Sequence, residues 1–595
     1  MTDPRNNSPE TDRAERGDEQ AARLWRLYEQ GMAYQSTSGL ARNLPTFVDF
    51  YEGRQWAPVT RATKNLPRPV INIIKMICRA KKSAVLATPV RLIYRAEDGR
   101  TDTDTFNAFA EYIAHEIGQD AIDRRAMEDG VVKGTYVYHY YWDPTARGRD
   151  GICEGGVRCE LIDPLRIFFA DPTECDEQKQ KWILIASRED AADVRRACAD
   201  PADAADVRPD EDTGGHYGRA EQEGSGLVTV LTRYFRRDGE VYCERATRTA
   251  RVAAPFPLSP DVDGAAAALL HLSATGGKMP AGTEKVTQRA PVCRECDEAA
   301  RATLYPVVVG NYDRREHSIY GLGEVEGLIP NQKAVNFNLA MLLLNAQETA
   351  WGKYVVLPGA LRGQAISNEP GQTLVDYSGS GNGIRRLSGQ PNQSGPLQLA
   401  ETIAQMTRSV TGVSELMTGE ILGSGLSGAA IAQLQAQARA PVEELKNAYW
   451  LAKKKQGLVL AQFFRLFYAA RVFPLAADGP AAPTGVFCGG DYRHATLDVT
   501  VEAVAGSSAS AAGDINALDV LLAKNAISPE TYIRAYPRDA LSNRTEILRG
   551  IEEQKNGELA RLRAENAALR AALGVSAPAD AETDPLGPKT GAETA

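Results

Sequence analysis

The sequence lacks the short motifs that mark many nucleotide-binding and hydrolytic enzymes. It contains no phosphate-binding G-x-x-x-x-G-K-[ST] loop, no H-E-x-x-H metalloprotease motif and no G-x-S-x-G nucleophile elbow. The nearest glycine cluster, Gly321-Leu-Gly323-Glu-Val-Glu-Gly327, has one residue too many for a dinucleotide fingerprint. Glycines at the start of a helix explain it more simply. We therefore predict no catalytic residue and no cofactor.

Long hydrophobic runs are also missing. The longest, such as LAMLLLNA from Leu339, fall well short of the roughly 20 residues that a membrane-spanning helix needs. We predict no transmembrane segment and no membrane partner. The nine cysteines are scattered and odd in number, and no signal peptide is evident. This usage favours a reduced, intracellular environment during assembly.

An excess of positive charge is absent as well. The formal net charge is −9 over 595 residues, and 43% of the residues are hydrophobic, which indicates a folded chain. An acidic balance argues against a tight grip on the DNA backbone, because such a grip requires Lys and Arg to displace condensed counterions. A surface past which DNA slides is compatible with this charge. The length predicts several domains or one elongated subunit.

Two groups of residues have spacings that suit metal ions, but both have a simpler interpretation. Cys293 and Cys296 form a C-x-x-C pair, whereas structural zinc needs four ligands and no second pair accompanies them. They are weak candidates, and we predict no metal site. Four carboxylates near two Asp-Pro turns could bind calcium, although turn formation explains them better. They are Asp163, Asp171, Asp176 and Glu177.

A basic triplet, Lys453-Lys454-Lys455, falls within the longest predicted helix. A run of this kind usually forms a solvated face, and contact with nucleic acid is the alternative. Because the chain as a whole is acidic, we favour the solvated face.

The predicted fold class is α+β, mainly helical. Residues 1–19 are polar and predicted to be flexible. Hydrophobic spacing predicts helices from 20 to 35, from Pro69 to about 90, and over 106–134. Alternating β-branched and aromatic residues predict strands in 135–143, 159–172 and 181–188, and a hairpin around the Arg-Asp-Gly turn at 237–239. A surface loop is predicted at 198–226 and an insertion at 253–300.

The stretch from Tyr320 to Tyr468 organises the chain. It predicts a helix ending near Trp351, a turn-rich β-module, a second helix, a glycine loop and a long helix that Pro441 should kink. Glycines in the loop permit backbone motion. The loop residues are Gly419, Glu420, Ile421, Leu422, Gly423, Ser424, Gly425 and Leu426.

The C-terminal part predicts a strand at 495–506 followed by short helices, with Ser528 as an N-cap before Pro529. A 3-4-3-4 repeat then predicts a short coiled coil, or a helix of a barrel, before a disordered tail at 575–595. The predicted core positions of the repeat are Leu559, Leu562, Asn566, Leu569 and Leu573.

Several segments occur together in an order that resembles a known family. They are FYEGRQW, RPVINII, VYHYYWD, IDPLRIFFADP, YPVVVGNY, YGLGEVEGLIPNQKAVNFNLAML and GVSELMTGE. In this order they resemble the portal (head–tail connector) proteins of tailed double-stranded DNA bacteriophages, and are most similar to the larger portals of short-tailed phages. The resemblance covers residues 20–550 and rests on the ordered set rather than on any single motif.

The resemblance implies an elongated multi-domain subunit (wing, stem, clip and crown) of a ring-shaped dodecamer at one capsid vertex. Residues 20–323 would form the wing, and 358–395 the clip. The remaining segments would be stem helix 1 (324–357), stem helix 2 (396–418), the tunnel loop (419–428), the long kinked wing helix (429–471), a β-containing connector (472–509) and the crown (510–574).

The resemblance also implies the function and the partners. Double-stranded DNA would be packaged and ejected through the ring, and the clip would dock terminase and then the tail adaptor or head-completion protein. Other partners would be the major capsid and scaffolding proteins and further copies of the chain, assembled in the host bacterial cytoplasm and retained in the virion. The alternatives are a phage-associated scaffolding or adaptor protein and, less consistent with the missing motifs, a DNA-processing enzyme.

Overall fold

The computed structural model divides the chain into two compact units, Met1–Ala503 and Val504–Ala595. It describes residues 9–61, 63–97, 101–146, 155–198, 200–210, 226–259, 301–350, 353–366, 374–379, 382–387, 394–413, 442–468, 470–474, 484–503, 518–524, 526–535, 547, 550, 557, 561, 564 and 565. The predicted α+β class is confirmed, because helices and several small sheets are both present. Within these ranges no helix combines the length and hydrophobicity of a membrane span.

The helices of the first unit form one group near the N-terminus and another around the centre of the chain. They are α1 (Pro9–Thr37), α2 (Leu40–Glu52), α3 (Ile73–Leu86), α4 (Asp104–Ile117), α5 (Gln119–Lys133), α6 (Ala191–Ala197), α7 (Pro201–Asp206), α8 (Glu324–Ala350), α9 (Ser394–Val410) and α10 (Glu443–Phe467). In the second unit, α11 spans Pro529–Ala535. Ser528 caps it as predicted, since Thr531 N donates to the Ser528 hydroxyl at 3.2 Å.

Two helices differ from the sequence prediction because of local capping. The single helix predicted over 106–134 is two helices, α4 and α5, and Gly118 separates them with a left-handed φ of 72°. This conformation ends a helix, and glycine adopts it without steric cost. Helix α3 begins after Asn72 rather than at Pro69, because the Asn72 side chain accepts a hydrogen bond from Lys75 N at 2.9 Å.

Two segments predicted to lack regular structure contain helices. Helix α1 begins at Pro9, within the stretch expected to be flexible. Proline suits the first helical position, and acidic residues in the first turns interact favourably with the helix dipole. Helix α7 lies within the predicted loop 198–226, where Asp200 caps it by accepting from Ala202 N at 3.0 Å. The cap at Asp200 thus starts a short helix without buried residues, whereas α1 extends the helix predicted from Gln20 toward the N-terminus.

The strands form two larger antiparallel sheets and three two-stranded ones. They are β1 (Val90–Ala96), β2 (Thr135–Asp143), β3 (Gly156–Ile162), β4 (Ile167–Phe169), β5 (Trp182–Asp190), β6 (Leu227–Arg237), β7 (Glu240–Ala246), β8 (Arg251–Pro257), β9 (Val307–Asn311), β10 (Lys353–Val356), β11 (Ile384–Leu387), β12 (Ala470–Pro474), β13 (Thr484–Cys488) and β14 (Leu497–Ala503). The sheet orders are β4-β5-β6-β7-β8, β3-β2-β9, β1-β14, β10-β11 and β12-β13.

The hairpin between β6 and β7 has the turn that the sequence predicts. Asp238 and Gly239 have φ values of 52° and 81°, and Arg237 pairs with Glu240 across the turn. Two consecutive positive φ values match the twist of the flanking strands, which is why Asp-Gly is favoured there. The strand predicted at 495–506 is also confirmed as β14, which pairs with β1 some 400 positions away.

Two aromatic and aliphatic cores hold the first unit together. One is centred on Phe109 and Phe487, whose rings stack with centroids 3.9 Å apart, and it joins α4, β2, β13, β14 and the C-terminal half of α10. The other joins α2, α3 and α5 to the first half of α8 and the start of α10. Helix α10 therefore packs into both cores.

The five-stranded sheet carries a separate anchor for the N-terminal helix. Glu244 of β7 is fully buried and pairs with Arg23 of α1 at 2.8 Å and with Arg233 of β6 at 3.1 Å. Beyond β8, Ala302 N donates to the Ser259 hydroxyl at 2.7 Å. The chain therefore leaves this sheet after Ser259 and returns to the same place at Ala302.

Candidate functional site: helices α8, α9 and α10

Helix α8 begins where three glycines bring backbone segments into contact. A Cβ atom at Gly321 would lie 2.6 Å from Gly134 O, and one at Gly323 would lie 2.8 Å from Val132 O. Neither position has room for a side chain. Gly321 and Gly323 therefore serve close packing against the end of α5, at the helix start that the simpler sequence interpretation proposed.

The first half of α8 is fixed to α2 and α3 by a buried amide network. Gln332 is almost fully buried, and its side chain accepts from Ile73 N at 2.9 Å and donates to Ile71 O at 2.7 Å. Gln332 also donates to Asn336, which donates to Gln55. These side chains satisfy backbone groups at the start of α3, so the helices are held in one relative position.

The second half of α8 leaves this packed region. No side chain of α8 after Ala340 is buried. Helix α9 packs alongside α8, with Asn331 donating to the Thr407 hydroxyl at 3.1 Å, and β10 and β11 join the two helices as an antiparallel pair. The 27 residues of α8 correspond to about 40 Å. The arrangement is a two-helix hairpin with a small sheet at its end.

This hairpin exposes large apolar side chains on both helices and near its sheet. A pair of helices cannot cover its own apolar faces, so these side chains require a further partner. The exposed residues are Phe337, Leu343, Tyr354, Val355, Leu357, Val375, Tyr377, Leu397, Leu399, Met406 and Val410, the last at 88% exposure.

Two lysines of the α10 triplet, Lys453 and Lys455, point toward buried carboxylates of the protein. Lys453 is buried against Asp123 of α5, and Lys455 lies 2.7 Å from Glu177. Lys454 is 3.1 Å from Asp498 of β14, with both side chains about half exposed. The predicted solvated face is therefore wrong for Lys453 and Lys455, whereas Lys454 is partly solvated, and each lysine contacts a different element.

Two of the carboxylates that face these lysines, Asp123 and Glu177, are buried. Asp123 accepts hydrogen bonds from Gln119 Nε2 and Tyr138 Oη, both at 2.9 Å. Burial raises the pKa of the Glu177 carboxyl above its usual range, and Lys455 opposes that shift. These contacts fix the rotation of α10 about its own axis relative to α5.

The other carboxylates considered as calcium ligands form turns, as the sequence favoured. Asp163 accepts from Leu165 N, Asp171 from Thr173 N and Asp176 from Gln178 N, at 2.9 to 3.0 Å. Glu177 pairs with Lys455 instead. In the part of the chain that the structure describes, no group of three or more His, Cys, Asp or Glu could hold a metal ion.

A groove of about 1220 Å³ lies between the three-stranded and five-stranded sheets. His139 lines it and bridges the sheets, with Nδ1 at 2.8 Å from Glu160 and Nε2 at 2.8 Å from Tyr234 Oη. The cations of the groove are already paired, including Arg245 with Glu189. The arrangement is consistent with a polar seam between the two sheets.

Several predicted site residues lie outside the described residues. They are the loop residues 419–426, Pro441, Cys293, Cys296 and the repeat positions Leu559, Leu562, Asn566, Leu569 and Leu573. Their assignments stay predictions. Helix α10 as described begins at Glu443, two residues beyond Pro441, and ends at Phe467.

Comparison with known protein families identifies the family of the chain. The family model of the phage P22-like portal protein matches residues 28–473, which is 446 of the 595 residues. The chain belongs to this portal family. The match is of the short-tailed phage type. The chain matches no curated protein sequence.

The residues matched by the family model include α8, β10, β11, α9 and α10. The match begins within α1 and ends within β12. Strands β13 and β14 and the whole second unit lie beyond it, so the portal model does not cover the predicted crown and repeat. Within the match, the resemblance inferred from the ordered segments is confirmed.

The sequence interpretation missed the side chains that position these helices. Gln332, Gln462 and Gln178 each bind backbone groups of a distant segment. A single glutamine has no periodic signal, so composition could not reveal them. A further feature, the absence of acidic residues between Glu52 and Glu97, is visible in the sequence and was not used.

Proposed function

We propose that the chain is the subunit of a portal ring at one capsid vertex, through which double-stranded DNA enters and leaves. The single observation that carries this is the α8–α9 hairpin with unpartnered apolar side chains. A head-to-tail ring buries such faces against neighbouring copies without leaving an open end. Membership of the portal family supports the same role.

In this proposal α8 and α9 are the stem helices that line the channel. Residues 358–395, which include β11, form the clip that docks terminase and later the tail adaptor or head-completion protein. Residues 20–323 and α10 form the wing, which faces the capsid and scaffolding proteins. Residues 419–428 form the tunnel loop, and 510–574 the crown.

The anchoring of α10 supports a division between fixed and movable parts. Lys453 and Lys455 tie α10 to buried carboxylates, and Gln462 accepts from Thr303 N at 2.9 Å. A loop that changes position during DNA passage needs rigid supports on either side. Residues 414–441 connect α9 to this fixed helix.

Electron microscopy of the purified full-length chain tests the ring. We expect closed rings of about twelve copies with a central hole. Substituting Met406→Glu together with Val410→Glu should prevent closed rings, because charges replace apolar contacts between copies. The matched control, Val472→Glu with Val486→Glu, changes exposed valines on β12 and β13 and should leave rings intact.

The alternative is a helical scaffolding or adaptor protein. It predicts elongated, low-order oligomers without a hole, and such images for the unaltered chain would reject the portal proposal. A second experiment concerns the tunnel loop, where Gly423→Pro with Gly425→Pro should leave rings intact and impair DNA packaging. Normal packaging by that variant would reject a mobile loop.

A further inference from the structure

One stretch of this acidic chain carries positive charge alone. Between Glu52 and Glu97 there are ten Lys and Arg residues and no Asp or Glu. About half of these cations pair with carboxylates from other segments. The pairs are Arg54 with Asp49 and Glu52, Lys81 with Glu324, Lys82 with Glu128, Arg91 with Glu111, and Arg95 with Glu502.

Four cations of the stretch have no carboxylate partner among the residues that the structure describes. They are Arg61, Lys64, Arg68 and Lys75. Arg68 donates to neutral acceptors, the Ala57 carbonyl at 2.8 Å and the Thr63 hydroxyl at 3.3 Å. Arg61 and Lys64 are exposed and make no side-chain hydrogen bond in the same part of the chain. Their charges are therefore available to a ligand.

The loop that carries Arg61, Lys64 and Arg68 begins at the C-terminal end of α2. Lys75 lies over the Tyr51 ring, with Nζ 5.5 Å from its centroid, and Lys333 of α8 lies at the same distance over the Phe50 ring. Asn72 donates to Tyr51 O at 2.9 Å and so holds the start of α3 beside that end of α2. We call the surface formed by Arg61, Lys64, Arg68, Lys75 and Lys333 the basic surface.

Hydrogen bonds link described residues at the two ends of the loop that carries Arg61, Lys64 and Arg68. Trp56 Nε1 donates to Pro69 O at 3.0 Å, which closes the loop between α2 and α3. Arg68 crosses the loop to Ala57, and Gln55 donates to Phe50 O at 2.9 Å. A preformed loop loses little conformational entropy on binding, so charge attraction is not offset by ordering.

The acidic groups of α2 and α5 beside the basic surface already contact cations outside it. Asp49 and Glu52 both contact Arg54, and Glu128 contacts Lys82. Arg79, the remaining cation on α3, acts on the Tyr51 hydroxyl. The local balance is thus positive, in contrast to the net charge of −9 for the chain. Such a contrast indicates a polyanionic ligand.

We propose that the basic surface binds the phosphate backbone of double-stranded DNA without sequence preference. This inference rests on the proposed function, which brings the chain and duplex DNA together. Lysine and arginine bind phosphates by charge, and backbone contacts carry no sequence information. Three of the cations lie on the loop between α2 and α3, Lys75 lies in the first turn of α3 and Lys333 lies on α8, so no single helix or strand of the described chain presents them together to a groove, where bases are read.

A binding experiment on the assembled full-length chain tests the proposal with two matched variants. Arg61→Gln with Lys64→Gln removes two charges from the basic surface. Arg91→Gln with Arg95→Gln removes two paired charges from β1, and both variants have a net charge of −11, from −9 − 2. The probe is a fluorescent linear duplex of mixed sequence, and anisotropy is measured over a range of salt concentrations.

We expect the Arg61/Lys64 variant to bind about tenfold more weakly, with the slope of log K against log salt reduced by about 2, since each lost phosphate contact lowers it by about 1. The Arg91/Arg95 variant should bind within about twofold of the unaltered chain, because its charges already face carboxylates. Arg61→Lys with Lys64→Arg keeps the charges and should restore binding.

Equal losses in the two glutamine variants would overturn the proposal, as would an unchanged salt slope in the Arg61/Lys64 variant. If that variant bound DNA normally but failed to form rings, the partner would be an acidic face of a second copy, and the DNA proposal would again be wrong. Electron microscopy of each variant separates these results from a failure of the proposed function, which would appear as an absence of rings in the unaltered chain.

Discussion

Lys453 of α10 and Asp123 of α5 form an ion pair that is almost closed to solvent, although 330 positions separate them in the sequence. The next residue, Lys454, makes a half-exposed pair with Asp498. Two adjacent lysines of one helix thus have opposite environments. The buried pair fixes the helix that follows the predicted tunnel loop, and it can be tested separately from its exposed neighbour.

Lys453→Met should lower the free energy of unfolding by about 3–5 kcal/mol, because it leaves Asp123 charged, buried and without its cation. Lys454→Met should lower it by less than about 1 kcal/mol, since an exposed pair contributes little. Denaturant unfolding followed by tryptophan fluorescence measures both. Equal effects in the two variants would show that the buried pair does not hold α10 in place.

Two helical glycines should respond oppositely to alanine. In Gly457→Ala, the new Cβ would lie 2.5 Å from Val499 Cγ1 of β14, so crowding should cost about 1–3 kcal/mol. In Gly327→Ala, nothing lies within 4 Å of the new Cβ, and the helix should gain up to about 1 kcal/mol. Thermal unfolding of both proteins measures the difference. A stabilised Gly457→Ala variant would contradict the close contact between α10 and β14.

Gln332→Met keeps the side-chain volume similar but removes the acceptor for Ile73 N and the donor for Ile71 O. We expect a loss of about 1–3 kcal/mol, because buried backbone groups lose a partner. Asn331→Ala, on the adjacent exposed position, removes one hydrogen bond to Thr407 and should cost about 1 kcal/mol or less. Hydrogen exchange at Ile73 N should quicken in the first variant only.

Cys243 should resist alkylation in the folded chain. Burial raises the pKa of its thiol to about 12, so the reactive thiolate is scarce at pH values near the ordinary thiol pKa of about 8.5. The raised pKa also gives a stability contribution that is complete below about pH 8.5 and is lost as the pH rises toward 12. Mass spectrometry after iodoacetamide treatment should find Cys175 modified before Cys243, and the reverse order would contradict this environment.

Local patterns predicted local structure well. The Asp238-Gly239 turn, the Ser528 cap and the strand β2 were all visible, because each depends on residues within one element. The split at Gly118 was missed, since the apolar spacing of α4 continues into α5 and only the backbone conformation separates them. Helix existence was therefore easier to predict than helix ends.

Long-range contacts could not be predicted from the same patterns. The lysine triplet resembled a solvated face because its partners, Asp123, Glu177 and Asp498, lie in three separate elements. The portal family was predicted from the order in which the resembling segments follow one another, and this order spans most of the chain. The tunnel loop and the repeat remain predictions because they lie outside the described residues.

The hydrogen bond from Ala302 N to the Ser259 hydroxyl has a practical consequence. It joins the two ends of a 41-residue segment, 260–300. The five-stranded sheet therefore does not depend on the length of that segment. The entropy of closing a loop changes only slowly with its length. A fluorescent protein or an affinity tag inserted between Ser259 and Ala302 should therefore mark each subunit without altering the fold of the sheet that carries it.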